Sequence, residues 1–276
     1  MPFDRASTGK SHGPYRMQVN AAAIERFTRA LREDNPHFVD GYRRGGIVAP
    51  PAFALVLTAP ALRRALADPD LGVPTSELVP VECDLRFTKA VKPGHEILVT
   101  ACFEAFEIRP EGDVVTVRIE GARRSGLPLF EVRARLLHLE QHPEAQPPIP
   151  PEPVTGFLRP ALAFRSQTIV KAGPPFLPDP KSPPPKLRTA TREFIRHALA
   201  LAYAAKGIID NSLKRDPSQL KRIAASLIRP VEPGETLDTA AWIVESRRGS
   251  TYFGFEALAG DGAVVLADGN AEVILK

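Results

Sequence analysis

Apolar residues recur along the chain with two different periods, and the two periods alternate. Apolar positions three and four residues apart, at Ile24, Phe27 and Leu31, predict an amphipathic helix near the start of the chain. A second helical stripe comprises Ile195, Ala198, Leu199, Ala202, Ala205 and Ile209. Strict alternation of apolar and polar residues, which is typical of half-buried strands, dominates residues 78–139 and 220–275. This order of elements predicts an α+β protein in which helices precede antiparallel strands, twice over.

A repeated turn supports the twofold division. Val91-Lys92-Pro93-Gly94 recurs as Val231-Glu232-Pro233-Gly234, at an offset of 140 in the numbering, and each copy lies between two alternating strands. Proline presets φ and glycine accepts a positive φ, which is the combination that a tight turn requires. We therefore expect two antiparallel sheets, each wrapped around a long central helix, with the helices at residues 51–67 and 192–209.

Two proline-rich tracts, residues 142–153 and 173–186, hold 13 of the 29 prolines. Proline at this density favours extended, solvent-facing connections over packed helices or strands. We expect the first tract to be a linker between an N-terminal unit, residues 1–141, and a C-terminal unit, residues 154–276.

Composition restricts the classes of function. Hydrophobic residues make up 43% and charged residues 25% of the chain, as in soluble globular proteins. The formal charge of +4 is spread without blocks of like charge, which argues against a nucleic-acid partner. No apolar run approaches the ~20 residues that span a bilayer, so we expect a cytoplasmic protein without membrane association. Cys83 and Cys102 lie in strand-like runs and are predicted to be reduced core thiols.

The most informative segment follows the first helix. It reads Glu33-Asp34-Asn35-Pro36-His37-Phe38-Val39-Asp40 and leads into the run G-G-I-V-A-P-P-A-F at residues 45–53. This stretch resembles the MaoC-like family of hot dog fold (R)-specific enoyl-thioester hydratases and 3-hydroxyacyl dehydratases, and in particular its double hot dog type. That family carries a D-x-N-P-x-H-x-D segment, whose Asp and His act on the water or hydroxyl group at an acyl thioester.

The resemblance implies a degenerate catalytic motif. Aligned on Asn35-Pro36, the chain has Glu33 at the position of the family's Asp and Phe38 at the position of its His. Asp40 matches the trailing Asp, and His37 lies one residue before the family's histidine. An aromatic residue at the histidine position is similar to the N-terminal, non-catalytic half of members with two hot dog units.

Two interpretations of this segment remain open. If the loop is helical, Glu33, Asp34 and His37 share a face and are the candidate catalytic residues. Alternatively, Asp34 or Asn35 caps a turn and His37 is a solvated surface residue. The resemblance marks as candidate substrate-binding residues Asn35, Phe38, Asp40, Gly46, Ala49, Pro50 and Phe53. We expect the Phe38 ring to line or plug a pocket near Pro50, Pro51 and Phe53.

The second half lacks a corresponding loop. In the first copy, the stretch from the helical stripe to the P-G turn runs from Ile24 to Pro93. In the second copy it runs from Ile195 to Pro233, so the second stretch is little more than half as long as the first. We interpret the shortfall as loss of the loop and second helix that span about residues 32–68 in the first copy. The histidine of the second half, His197, lies on the helix itself.

The resemblance implies a protein acting on acyl thioesters of coenzyme A or acyl carrier protein in fatty acid or polyketide metabolism. If active, it would be a hydratase or dehydratase, a lyase, that needs neither cofactor nor metal ion, since its histidines lack metal-ligand spacing. One alternative is a non-catalytic subunit that shapes the acyl tunnel of a partner hot dog dehydratase. The expected protein partner is a hot dog subunit or a second copy of this chain. Another is a thioesterase or cyclase of secondary metabolism, for which Asp210, near the end of the second helix, would be a candidate acid. The run Asp210-Asn211-Ser212 is also typical of an ordinary helix terminus, and we favour that interpretation. With its motif degenerate, we expect the isolated chain to be a poor crotonyl-thioester hydratase.

Overall fold

The computed structural model describes residues 3–139, 162–170, 190–247 and 249–275. Both proline-rich tracts, including the predicted linker at residues 142–153, lie outside them. The N-terminal half contains β1 (Ser11–Gln18), α1 (Ala21–Ala30), α2 (Pro36–Val39), α3 (Ala54–Leu66), β2 (Leu78–Phe87), β3 (Glu96–Arg109), β4 (Gly112–Arg123) and β5 (Pro128–Leu139). The C-terminal half contains β6 (Leu162–Ile169), α4 (Ala190–Ser212), β7 (Leu220–Leu227), β8 (Thr236–Arg247), β9 (Ser250–Ala259) and β10 (Val264–Ile274).

The strands form one ten-stranded antiparallel sheet, not the two sheets that the sequence predicts. The strand order is β1-β3-β4-β5-β2-β7-β10-β9-β8-β6, so the second half repeats the first in reverse across the β2–β7 junction. At that junction Asp84 stands opposite Ala224, and these two residues are separated by the repeat offset of 140. The halves are therefore related by a local twofold axis. Joining them pairs the backbone groups of two strands that would otherwise be exposed edges.

The repeated turn forms in both halves as predicted. Gly94 and Gly234 have φ values of 82° and 90°, in the left-handed region that glycine enters without strain. In each copy the glycine N–H donates to the carbonyl of a valine that follows the half's first strand. Gly94 N lies 2.8 Å from Val19 O, and Gly234 N lies 2.5 Å from Val170 O.

Two helices, α3 and α4, pack against the sheet and against each other, and one continuous apolar core covers both halves. Both helices were predicted, α3 being preceded by a short 3₁₀ turn at Pro51–Phe53. The prediction that matched α1 with α4 is wrong, because the offset of 140 and the packing both place α4 opposite α3. Helical periodicity alone does not reveal which of two amphipathic helices covers the sheet.

In the N-terminal half, α1, α2 and the loop up to α3 lie between β1 and the central helix. The stretch between β6 and α4 lies largely outside the described residues and contains no histidine. Its sequence therefore holds no second D-x-N-P-x-H motif.

The cysteines and the polarity of the helices can also be compared with the sequence predictions. Cys83 is buried, Cys102 is half-buried, and both are free thiols. Across the described segments, every helix is too short or too polar to cross a membrane.

Candidate functional site

The motif segment begins where α1 ends, and local hydrogen bonds fix its backbone. Arg32 adopts a φ of 50°, and the N–H of Glu33 donates to the carbonyl of Thr28 at 2.8 Å. The Asn35 side chain then caps α2 by accepting the N–H of His37 at 3.0 Å, while Pro36 fills the first helical position, where an N–H is not needed. The interpretation of Asn35 as a cap is confirmed.

This geometry separates the predicted catalytic trio. Helix α2 begins at Pro36, so Glu33 and Asp34 precede it and do not share a helical face with His37. The interpretation in which the loop is helical from Glu33 to His37 is therefore wrong. The physical reason is the cap, because the N-cap residue itself has an extended backbone.

Glu33 and Asp34 instead join three residues of the C-terminal half in what we call the ion cluster: Glu33, Asp34, Lys206, Asp210 and Arg215. The Lys206 ammonium lies 3.3 Å from Glu33 Oε2, 2.6 Å from Asp210 Oδ2 and 3.8 Å from Asp34 Oδ1. Arg215 Nη2 lies 2.5 Å from Asp34 Oδ1. The motif's first two residues thus bind the C-terminal end of α4 and the residues after it.

The motif asparagine reinforces the same contact. Asn35 is completely buried, and its Nδ2 donates to the carbonyl of Arg215 at 2.9 Å. The hydroxyl of Tyr203 donates to the carbonyl of Ala30 at 3.4 Å, which ties α4 to the end of α1. The resemblance implies that this frame serves chemistry, whereas its polar groups here hold the two halves together.

Glu33 has an unusual titration within the cluster. Its side chain is only 3% exposed, and this burial raises its pKa to about 7. Lys206 opposes the rise, but the neighbouring charges of Asp210 and Asp34 add to it. Burial acts to lower the pKa of Lys206, yet Glu33 and Asp210 outweigh it and the pKa is raised. Lys206 is therefore a permanent cation, whereas Glu33 exchanges a proton near neutral pH.

Carboxylate oxygens of Glu33, Asp34 and Asp210 lie within 4.8 Å of one another, close enough to hold a metal ion. The Lys206 ammonium, however, is in ion-pair contact with all three carboxylates. A metal cation would be repelled by that ammonium, so the donor set does not suit a metal site.

A cleft of about 520 Å³ lies beside the cluster, between the two halves. One wall is the segment from α2 to α3, another is the turn after β2 with Phe130, and the third is the segment after α4. Its lining is mainly apolar and includes Val48, Ala49, Pro50, Pro51, Ala54, Phe87, Ala90, Val91, Phe130, Pro217 and Leu220. Its charged or titratable lining residues are His37, Arg43, Lys89, Asp216 and Lys221.

His37 is the member of the predicted trio that lines the cleft. Its backbone is held on both sides, because its N–H bonds to Asn35 and its carbonyl accepts the N–H of Val48 at 2.9 Å. Burial lowers the pKa of His37 below its usual value and Arg43 lowers it further, whereas Asp216 acts to raise it. The imidazole is therefore neutral at pH 7 and can accept a proton.

The predicted substrate-binding residues divide into two groups. Ala49 and Pro50 line the cleft, as does Pro51 beside them. Phe38 is 2% exposed and so is not in open solvent, but the cleft lining includes its neighbour His37 and not Phe38. The remaining predicted residues are absent from the cleft lining and make local structural contacts. Asn35 caps α2, and Asp40 accepts the N–H of Tyr42. Gly46 has a φ of 68°, and the Phe53 ring packs on Phe27.

Sequence reasoning missed the contribution of the second half. Lys206, Arg215 and Asp216 are far from the motif along the chain, and no local pattern distinguishes them from surface charges. The sequence predicts Asp210 as a helix terminus or an acid, and in the structure it is a member of the ion cluster. A usable signal was the offset of 140, which places the end of α4 opposite the end of α3.

Two sequence comparisons relate this chain to known proteins. The family model described as "FAS1-like, dehydratase domain region" matches residues 6–132. A UPF0336 protein of Streptomyces avermitilis is 30% identical over 128 residues, covering 44% of this chain and 84% of the relative.

Solved structures share the fold along the whole chain. A MaoC-like dehydratase from Phytophthora capsici superposes with a TM-score of 0.77 at 15% identity, covering 100% of this chain and 99% of that one. A Mycobacterium tuberculosis protein described as having a double hot dog fold superposes with a TM-score of 0.61 at 12% identity, covering 99% and 98%. The chain therefore belongs to the family of the UPF0336 proteins, matches a FAS1-like dehydratase domain region over residues 6–132, and has the double hot dog fold that MaoC-like dehydratases share.

Proposed function

We propose that the chain binds an acyl thioester of coenzyme A or acyl carrier protein in the cleft, and acts on it as a hydratase or dehydratase through His37. The observation that carries this proposal is the mainly apolar cleft of about 520 Å³ with an imidazole in its wall. Such a volume is ordinary for a small-ligand site. Arg43 and Lys89 are exposed at the cleft and suit the phosphates of either carrier.

The chemistry follows from a neutral imidazole beside an enoyl thioester. His37 takes a proton from water while the water oxygen bonds to the β-carbon, and the double-bond electrons move toward the thioester carbonyl. The imidazolium then returns the proton to the α-carbon, so that one water is added. Dehydration is the same sequence reversed.

Steady-state hydration of a short and a medium-length enoyl-CoA tests the proposal. Removing a positioned acid–base group typically costs roughly 10²- to 10⁴-fold in rate, and we expect a loss in that range for His37→Ala. Glu33→Gln should retain turnover, because Glu33 lies in the ion cluster and does not line the cleft. His12→Ala, which changes a histidine outside the cleft lining, is the matched control. Turnover indifferent to His37→Ala would refute this assignment.

A second candidate is a non-catalytic subunit that shapes the acyl tunnel of a partner hot dog dehydratase. It is favoured by Glu33, which stands at the position of the family's Asp yet is bound to Lys206. Acyl-thioester binding without turnover, together with faster dehydration by an added partner, would select this candidate. Release of free thiol from the same substrates would instead indicate a thioesterase.

A further inference from the structure

Asp216 lines the cleft together with His37, although the two residues belong to different halves of the chain. His37 is carried by α2, and Asp216 follows α4 directly after Arg215. The contacts of the ion cluster and of Asn35 fix these two segments against each other. The relative position of the two side chains is therefore set by the junction between the halves.

The Asp216 carboxylate is itself held in place. Oδ1 accepts the N–H of Ser218 at 2.9 Å, which caps the 3₁₀ turn Pro217–Gln219, and Oδ2 accepts a hydrogen bond from Nε2 of Gln219 at 3.3 Å. The other charged groups at the cleft are the cations of Arg43, Lys89 and Lys221. Asp216 is thus the acidic residue among those that line the cleft. The other charged lining residues are cations, which disfavour protonation of the His37 imidazole.

We propose that Asp216 is a positioning residue for His37, an anion supplied by the opposite half that stabilises the imidazolium formed when His37 accepts a proton. The proposal rests on the proposed function for its catalytic meaning. The electrostatic part of the proposal does not depend on that function. A carboxylate at residue 216 favours the protonated imidazole of His37 whether or not a substrate turns over. The effect of Asp216 on the pKa of His37 has the sign that this role requires.

Two substitutions separate the charge of Asp216 from its capping role. Asp216→Asn keeps an oxygen that can accept the N–H of Ser218 and removes the charge, since asparagine is as good a cap as aspartate. Asp216→Glu keeps the charge and lengthens the side chain, which weakens the cap. Asp4→Asn is the matched control, because Asp4 caps another 3₁₀ turn through Ala6 N at 2.9 Å and does not line the cleft.

The test is an NMR titration of the histidine rings in the full chain, with the His37 resonance assigned from its loss in His37→Ala. We expect the pKa of His37 to fall in Asp216→Asn and to stay unchanged in Asp4→Asn. A pKa of His37 that is the same in Asp216→Asn and wild type overturns the proposal. The titration needs no turnover, so it decides the pairing even if the proposed hydratase activity fails.

Steady-state kinetics of the same variants tests whether Asp216 supports catalysis by His37. Each unit by which Asp216 raises the pKa of His37 corresponds to about a tenfold stabilisation of the imidazolium, so we expect kcat for hydration to fall in Asp216→Asn by up to the factor that the titration measures. The acid limb of the kcat profile should move to lower pH, and Asp216→Glu should recover most of the rate. If Asp216→Glu is the damaged variant and Asp216→Asn is normal, Asp216 is only a cap and the proposal is wrong.

Discussion

Glu33→Gln tests the electrostatic account of the ion cluster, because it removes the titrating group and leaves its shape. Below pH 4.5 the carboxyl is protonated in the folded and the unfolded chain alike. Between pH 4.5 and about 7 the unfolded chain loses this proton while the folded chain, whose Glu33 has a pKa of about 7, retains it. Folding of the wild type therefore becomes progressively less favourable over this window.

The rise in pKa from 4.5 to about 7 sets the magnitude, which is about 3 kcal/mol because each pKa unit is worth about 1.4 kcal/mol. No discount for solvent is needed, since the Glu33 side chain is 3% exposed. Relative to wild type, Glu33→Gln should thus gain up to about 3 kcal/mol in free energy of unfolding between pH 4.5 and 8. A constant offset from the lost contact with Lys206 does not alter this pH dependence.

The assay is urea-induced unfolding at half-unit steps of pH, with the difference between variant and wild type plotted against pH. Glu25→Gln, which removes an exposed carboxylate from α1, controls for the change in net charge. A flat difference for Glu33→Gln would show that Glu33 does not titrate in this window. A difference of the opposite sign would show that the attraction of Lys206 outweighs burial, and the reasoning would be refuted.

Two further substitutions probe the junction and the cleft. Lys206→Met removes the cation shared by three carboxylates and should cost about 3 kcal/mol of unfolding free energy at pH 8, and less at pH 5, where Glu33 is protonated. Unfolding curves at the two pH values check this, and an equal loss at both would contradict it. Gly121→Ala places a methyl group into the ring of Phe130, a cleft residue, and should cost about 1–3 kcal/mol and weaken acyl-thioester binding. Gly41→Ala, where nothing lies within 4 Å, should leave both unfolding and calorimetric binding unchanged.

The parts of the fold that sequence predicts are those governed by local rules. The alternation that marks β4 and β5, and the turns at Gly94 and Gly234, depend on residues next to each other in the chain. The β2–β7 pairing was missed because an alternating strand has the same pattern whether its edge is open or paired. Its register nevertheless follows from the offset of 140, which equates Asp84 with Ala224.

The site was predicted only in part, and for a related reason. Asn35-Pro36 marked the segment correctly, because a capping residue followed by proline encodes a helix start in adjacent positions. The partners of that segment are Lys206 and Arg215, and charges at such separations look like any solvated side chain until the fold brings them together. The contacts of Glu33 were not predicted, because its burial and its distant partners Lys206 and Asp210, not its place in the motif, decide them.

The central claim is that the cleft between the halves binds an acyl thioester, and calorimetric titration with a non-hydrolysable acyl-CoA thioether tests it most directly. Ala90 is exposed and lines the cleft, so Ala90→Trp fills the cleft without disturbing the core, whereas Ala22→Trp adds the same side chain to the exposed surface of α1. We predict saturable binding by wild type and Ala22→Trp, and an affinity lower by roughly tenfold or more in Ala90→Trp, which corresponds to about 1.4 kcal/mol. Equal affinity in all three proteins, or no binding of the analogue on either coenzyme A or acyl carrier protein, would contradict the account.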